Sequence, residues 1–311
     1  MKKAILVVGL LLLVVWGATR FPATGQWVYQ ATTRVEAMLY GFDKTSVAVG
    51  DLTFSLYQRN GTDAKAPTLV LLHGYTASKE LWLRFANQLD ERYQVLIPDL
   101  AGHGETGFDP QWSYRPTAQA TRVKRMLDAL SVEQAVLIGN SMGGLIAANF
   151  AIDHAGQTQA LVVIDPAGVR APIPSRAELL FQQGESPFEI DSWQDFQEFY
   201  KLTMAEPPFV PDFVLRGMAE RYQQRKAQYV QIAEDFRNLD QLDGRLQQIE
   251  VPTLVIWGSV DQLLDASSAE VWQQQLPQSE VEIFAGVGHM PMVERPAQTA
   301  GRVQEFLKDI E

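Results

Sequence analysis

The sequence predicts a doubly wound, mostly parallel α/β sheet interrupted by one helical insertion. Short, continuously apolar segments alternate with amphipathic stretches along most of the chain, the pattern expected when helices cover both faces of a parallel sheet. One of these segments runs into Gly139-Asn140-Ser141-Met142-Gly143 and then a helical pattern, a strand, tight turn and helix in direct succession. The alternation lapses between about residues 169 and 249, where prolines and aromatics replace the apolar strands.

At the N-terminus, Lys2 and Lys3 precede an uncharged apolar run from Ala4 to Thr19. Spanning a bilayer takes about 20 apolar residues, so Arg20 would have to snorkel and the stretch from Phe21 to Trp27 lie at the interface. No small-x-small cleavage site follows the run, which favours an uncleaved signal anchor over residues 1–30, with secretion after cleavage as the alternative. Lysines ahead of the run predict a cytoplasmic N-terminus and a translocated, extracytoplasmic remainder, periplasmic in a cell with two membranes. A partly helical connector is expected around Ala31 to Tyr40.

An opening hairpin follows at Ser46 to Val49 and Leu52 to Tyr57. Strands are then expected at Thr68 to Leu72, Gln94 to Ile97, Ala135 to Ile138, Ala160 to Ile164, Thr253 to Trp257 and Val281 to Phe284. Helices are expected between them, at Lys79 to Asp90, Thr117 to Leu130, Gly143 to His154, Ser267 to Gln275 and Pro296 to Lys308. The sheet core thus takes residues 44–168 and 250–311, and a helical cap takes residues 169–249. The cap carries Phe181, Phe188, Trp193, Phe196, Phe199, Tyr200, Phe209 and Phe213. These aromatics suit either an apolar channel or the cap's own core.

Composition narrows the chemistry. A formal net charge of -11 over 311 residues leaves no basic surplus to displace counterions from phosphates, so nucleic acid is not an expected partner. With no cysteine, a thiol nucleophile, disulfides and thiolate metal sites are excluded.

Ser141 stands where a strained turn would present a hydroxyl at the carboxyl end of the sheet, with a helix N-terminus behind it to favour developing negative charge. A serine needs a base to become a nucleophile. Of the four histidines, only His154 and His289 follow Ser141 in the chain. His154 lies too far along the helix that leaves the turn to bend back, whereas His289 follows the last strand on a loop that can reach over it. The acid that orients the imidazole is expected to be Asp261, just after the strand Thr253 to Trp257, with Asp265 and Asp165 as rivals. Two backbone N–H groups should receive an oxyanion, those of Met142 and, in His73-Gly74-Tyr75, of Tyr75. His73 and the turn Asp99, Gly102, His103 and Gly104 read as scaffold. None of these groups calls for a metal or cofactor.

His73-Gly74, Pro98-Asp99 with Gly102-His103-Gly104, Gly139 to Gly144, Gly258 with Asp261, and Gly288-His289 together resemble the α/β-hydrolase superfamily. The N-terminal apolar segment, Ile256-Trp257-Gly258, Glu294-Arg295-Pro296 and Pro207-Pro208-Phe209-Val210-Pro211 make the chain similar to membrane-anchored monoacylglycerol lipases and a group of bacterial lipases. That resemblance implies cofactor-free hydrolysis of carboxylic esters of acylglycerol type, with Ser141, Asp261 and His289 as the triad. Carbon-carbon bond hydrolases and peptidases use the same triad and remain alternatives, as does a binding protein that kept the fold. Asn140 departs from the histidine that many relatives carry before the serine.

Overall fold

The computed structural model describes residue 17 and residues 21–237 and 239–310. The apolar run expected to form the anchor therefore lies, Gly17 apart, outside the described residues. Among those residues, no helix is long and apolar enough to cross a membrane.

Eight strands form one sheet: β1 (Asp43–Val49), β2 (Leu52–Arg59), β3 (Thr68–Leu72), β4 (Gln94–Pro98), β5 (Ala135–Asn140), β6 (Thr158–Ile164), β7 (Thr253–Gly258) and β8 (Glu280–Phe284). Their order is β1-β2-β4-β3-β5-β6-β7-β8. β1 pairs with β2, and β2 with β4, in antiparallel fashion, while every later pairing is parallel. The interior strands β5 and β7 are buried along their whole length. Helices on both sides explain their unbroken apolar runs, whereas β8, at the sheet's edge, is only partly covered.

One face packs against α3 (Pro116–Ala129) and α4 (Met142–Asp153), and the other against α2 (Leu83–Ala86) and α11 (Pro296–Lys308). Between β6 and β7 the chain adds α5 (Arg176–Gln182), α6 (Trp193–Thr203), α7 (Asp212–Gln224) and α8 (Lys226–Phe236). α6 begins with a capping box: the Asp195 N–H donates to Ser192 Oγ, and the Ser192 N–H donates to Asp195 Oδ2. After β7 come α9 (Ser268–Gln275) and α10 (Pro291–Glu294).

Two segments differ from the sequence expectation. Where a partly helical connector is expected only around Ala31 to Tyr40, Pro22–Leu39 forms one helix, α1, which lies against α7. Gly25 and Gly217 let the two backbones touch: a Cβ at Gly25 would sit 2.0 Å from Phe213 O, and one at Gly217 2.4 Å from Gln26 N. Gln26 Nε2 then donates to Glu220 Oε2 across the contact at 3.0 Å.

The helix expected from Lys79 to Asp90 is instead a 3-10 turn at Lys79–Trp82 and the single turn of α2. Its start is pinned by Asp99, whose Oδ1 accepts from Lys79 N at 2.8 Å and whose Oδ2 accepts from Lys79 Nζ at 2.6 Å. Lys79 Nζ also donates to Glu105 Oε2 at 2.8 Å, and Lys44 Nζ to Glu105 Oε1 at 2.6 Å. Burial raises the Glu105 carboxyl, but the hydrogen bonds from Lys44 and Lys79 outweigh it and bring the group down to about 2. A carboxyl depressed on folding contributes stability above its unfolded value, lost as pH falls through the folded one. Acid unfolding is therefore expected to steepen between pH of about 4.5 and 2. Glu105→Gln should flatten that limb in a urea titration run at several pH values. An unchanged limb would show that the contact adds nothing to acid stability.

Candidate active site

Ser141 joins β5 to α4 at φ 56° and ψ -121°, a left-handed conformation that costs a non-glycine residue on the order of 1–3 kcal/mol. Its surroundings hold it there. The Ser141 N–H donates to Ile164 O, and its carbonyl accepts from Gly144, Leu145 and Ala167 N–H groups. A Cβ at Gly139 would fall 2.2 Å from Gly143 O, and one at Gly143 2.2 Å from Leu72 O, so neither position has room for a side chain. The motif spacing thus reflects strand, turn and helix backbones in direct contact.

His289, buried after β8, meets Asp261: their Nδ1 and Oδ2 are 2.7 Å apart. Asp261 is itself held, since its Oδ1 accepts from the N–H groups of Leu263 at 2.8 Å and Leu264 at 3.1 Å. The imidazole loop is tied on two further sides. His289 N–H donates to Thr203 O at 3.1 Å, and Asn140 Nδ2 donates to His289 O, also at 3.1 Å. Asn140, beside the serine, therefore couples the elbow to the histidine loop. Its other bond, 3.0 Å to Ile164 O, anchors it to β6.

Glu294 supplies a tie that sequence reasoning missed. Its Oε1 accepts from Gly288 N–H at 2.9 Å, and its Oε2 from Ala205 and Glu206 N–H at 2.9 and 2.8 Å. One buried carboxylate thus pins the histidine loop to the segment following α6. In the sequence it was visible only as part of Glu294-Arg295-Pro296.

Ser141 and His289 line one cavity of about 560 Å³, together with Gly74, Tyr75, Leu145, Phe188 and Phe199. No hydrogen bond joins Ser141 to His289 here, and His289 Nε2 bonds to no described residue, leaving it free toward the cavity. Such looseness is common in unliganded sites that tighten on substrate. The N–H groups of Tyr75 and Met142 likewise have no partner among the described residues. The Tyr75 side chain is engaged elsewhere, donating its hydroxyl to Tyr229 O at 2.7 Å and packing edge-on against Phe188.

The remaining candidates lie apart from this arrangement or behind it. Asp265 accepts from Ser267 N–H at 2.9 Å within its own turn. Asp165, at the end of β6, is fully buried beside Asp261. His73 Nε2 accepts from Leu100 N–H at 3.0 Å, which places its proton on Nδ1, 2.8 Å from Gly74 O. Burial holds His73 down at about 4 and His103 at about 3, so both are neutral struts. The cap aromatics divide: Phe181, Phe188, Phe196, Phe199 and Tyr200 line the cavity, whereas Phe209, 90% exposed, does not.

Residues 67–296 match the family model described as alpha/beta hydrolase fold. Lipase 1 of Psychrobacter immobilis is 32% identical over 288 residues, covering 90% of each chain. Monoacylglycerol lipase abhd6-B of Xenopus laevis is 27% identical over 267 residues, 82% of this chain and 79% of that one. Among solved structures, a bacterial membrane phospholipase A superposes with a TM-score of 0.87 at 39% identity, covering 100% of this chain and 99% of its own. With the nucleophile turn, the mostly parallel sheet and the family match in agreement, the chain belongs to the α/β-hydrolase fold family.

Proposed function

We propose that this chain is a serine hydrolase of carboxylic esters, acting on acylglycerol-like lipid esters through an acyl-enzyme on Ser141. The observation that carries the reading is that His289, held by the buried Asp261, lines the same apolar cavity as the strained serine. In this mechanism Ser141 Oγ attacks the ester carbonyl while His289 Nε2 takes its proton. Asp261 holds the imidazole in the tautomer with its proton on Nδ1 and stabilises the imidazolium. The N–H groups of Tyr75 and Met142 receive the oxyanion. His289 then returns the proton to the departing alcohol, and a water activated in the same way releases the acid.

The similarity to lipases, a monoacylglycerol lipase and a membrane phospholipase A supports a lipid ester as substrate. The aromatic lining supports a site for an acyl chain, since burying each methylene contributes about 0.8 kcal/mol. We read the apolar run of residues 4–19 as the anchor that holds this site beside a bilayer, with the domain on the extracytoplasmic side. Carbonate washing of membranes tests that placement: release of the full-length chain would rule out an integral anchor.

Activity is tested by labelling with a fluorophosphonate and by a p-nitrophenyl ester series. Label is expected on the wild type and not on Ser141→Ala. kcat/KM should rise from acetate to octanoate, by about two- to fourfold per added methylene while it stays buried. Fastest turnover of acetate would remove the acyl-channel reading, and an unlabelled wild type would remove the hydrolase reading.

A further inference from the structure

Asp165 sits behind the pair that the mechanism uses, and the mechanism as derived gives it no role. It ends β6 at φ 44°, in the left-handed region, with its N–H donating to Ile256 O on the neighbouring β7. Its Oδ1 accepts from Gly258 N–H at 2.8 Å, and the side chain is fully buried. Its Oδ2, also buried, accepts from no described donor. What lies beside it is the carboxyl of Asp261: one oxygen of each acid and a ring nitrogen of His289 fall within 4.8 Å of one another.

Two carboxylates cannot both stay ionised when buried side by side without a cation between them. The ionisable groups around Asp165 are Asp261, His289 and, farther off, Glu294. Asp261 already has four tasks for its charge: it accepts from Leu263, Leu264 and His289, and it must balance the imidazolium. Glu294 has both oxygens occupied by three backbone N–H donors, those of Gly288, Ala205 and Glu206. The proton therefore belongs on Asp165, where burial first and then the charge of Asp261 both raise the carboxyl.

We propose that Asp165 is a positioning residue for the triad, a proton-bearing carboxyl that donates to Asp261 and takes its place when Asp261 is removed. This rests on the hydrolase reading above. The pair carries one proton and one negative charge through the whole cycle, so the charge facing His289 does not change as the serine proton arrives. If Asp261 is truncated, Asp165 loses the second of the two causes that hold it neutral, and the space left beside it admits water, so that it can release its proton and present a carboxylate toward the His289 imidazolium.

Three variants test this on a medium-chain ester. Asp165→Asn keeps an acceptor for Gly258 and a neutral donor for Asp261. It should leave the acid limb of the pH–rate profile within about 0.3 pH unit, because no charge is lost. A shift of that limb by about one pH unit or more would show that a charge had been removed, and would overturn the proposal. Misfolding of Asp165→Asn, read by near-ultraviolet circular dichroism, overturns it as well, since a neutral donor would then be insufficient at that position.

Asp261→Ala should lose about 10²-fold in kcat, against the roughly 10⁴-fold expected when a triad acid has no replacement. Adding Asp165→Asn to it should remove at least a further tenfold. Equal kcat in the single and double variants would overturn the replacement role. Fluorophosphonate labelling separates this from failure of the reading beneath it: a wild type that takes no label sinks the hydrolase, whereas labelled variants with equal rates sink only the role of Asp165.

Discussion

His289→Ala is expected to lower turnover of a medium-chain ester by about 10⁶-fold, with Ser141→Ala/His289→Ala no slower than either single variant. Under the proposed mechanism a single imidazole serves Ser141. Nδ1 is held by Asp261 at 2.7 Å, the ring is buried, and Nε2 is left to face the cavity. No other histidine can substitute. His73 has both ring nitrogens engaged, His103 is buried outside the cavity lining, and His154 lies at the far end of α4. Groups that act as one unit are non-additive when removed, so the double variant distinguishes a triad from two independent contributions. Steady-state turnover at high enzyme concentration gives the readout. A residual rate within a hundredfold of wild type would mean that another base serves Ser141.

The sheet was legible because its strands are buried on both faces. Thr68–Leu72 and Thr253–Trp257 read as unbroken apolar runs because both lie inside the sheet, covered by helices. The strand-turn-helix at Ser141 was legible because close backbone contact at Gly139 and Gly143 leaves a spacing in the sequence. What stayed hidden depends on partners distant along the chain. The full extent of α1 was missed because its packing face is completed by Phe213, Val214 and Gly217 on α7, nearly 200 residues away. Glu294 looked like one acid among 37 Asp and Glu residues, because acceptance from Gly288, Ala205 and Glu206 N–H groups leaves no pattern in composition. Asp165 and Asp261 each read as a possible triad acid at a strand end, and nothing in their 96-residue separation announces that β6 and β7 bring them together.

Lys79→Met is expected to destabilise the fold by about 3–5 kcal/mol, the usual consequence of removing one partner from a buried ion pair. Lys79 and Asp99 are both fully buried in contact at 2.6 Å. Burial opposes the Lys79 charge, but Asp99, Glu80 and Glu105 together outweigh it, so the ammonium is held above its ordinary value. With the cation gone, Asp99 keeps backbone donors at Lys79 and Glu105 but no countercharge. Its loop, Leu100 to Gly104, carries the Leu100 N–H that fixes His73 behind the proposed oxyanion loop. The loss should therefore appear first as a lower melting temperature, about 2–4 °C for each kcal/mol in a domain approaching this size. Lys79→Met/Asp99→Asn should recover part of it, because the amide needs no cation. If the double variant melts no higher than the single one, the stability comes from packing of the lysine stem rather than from neutralising a buried carboxylate. The same pair of proteins would then dissociate fold from chemistry: with the triad untouched, kcat at 25 °C should stay near wild type wherever the protein remains folded.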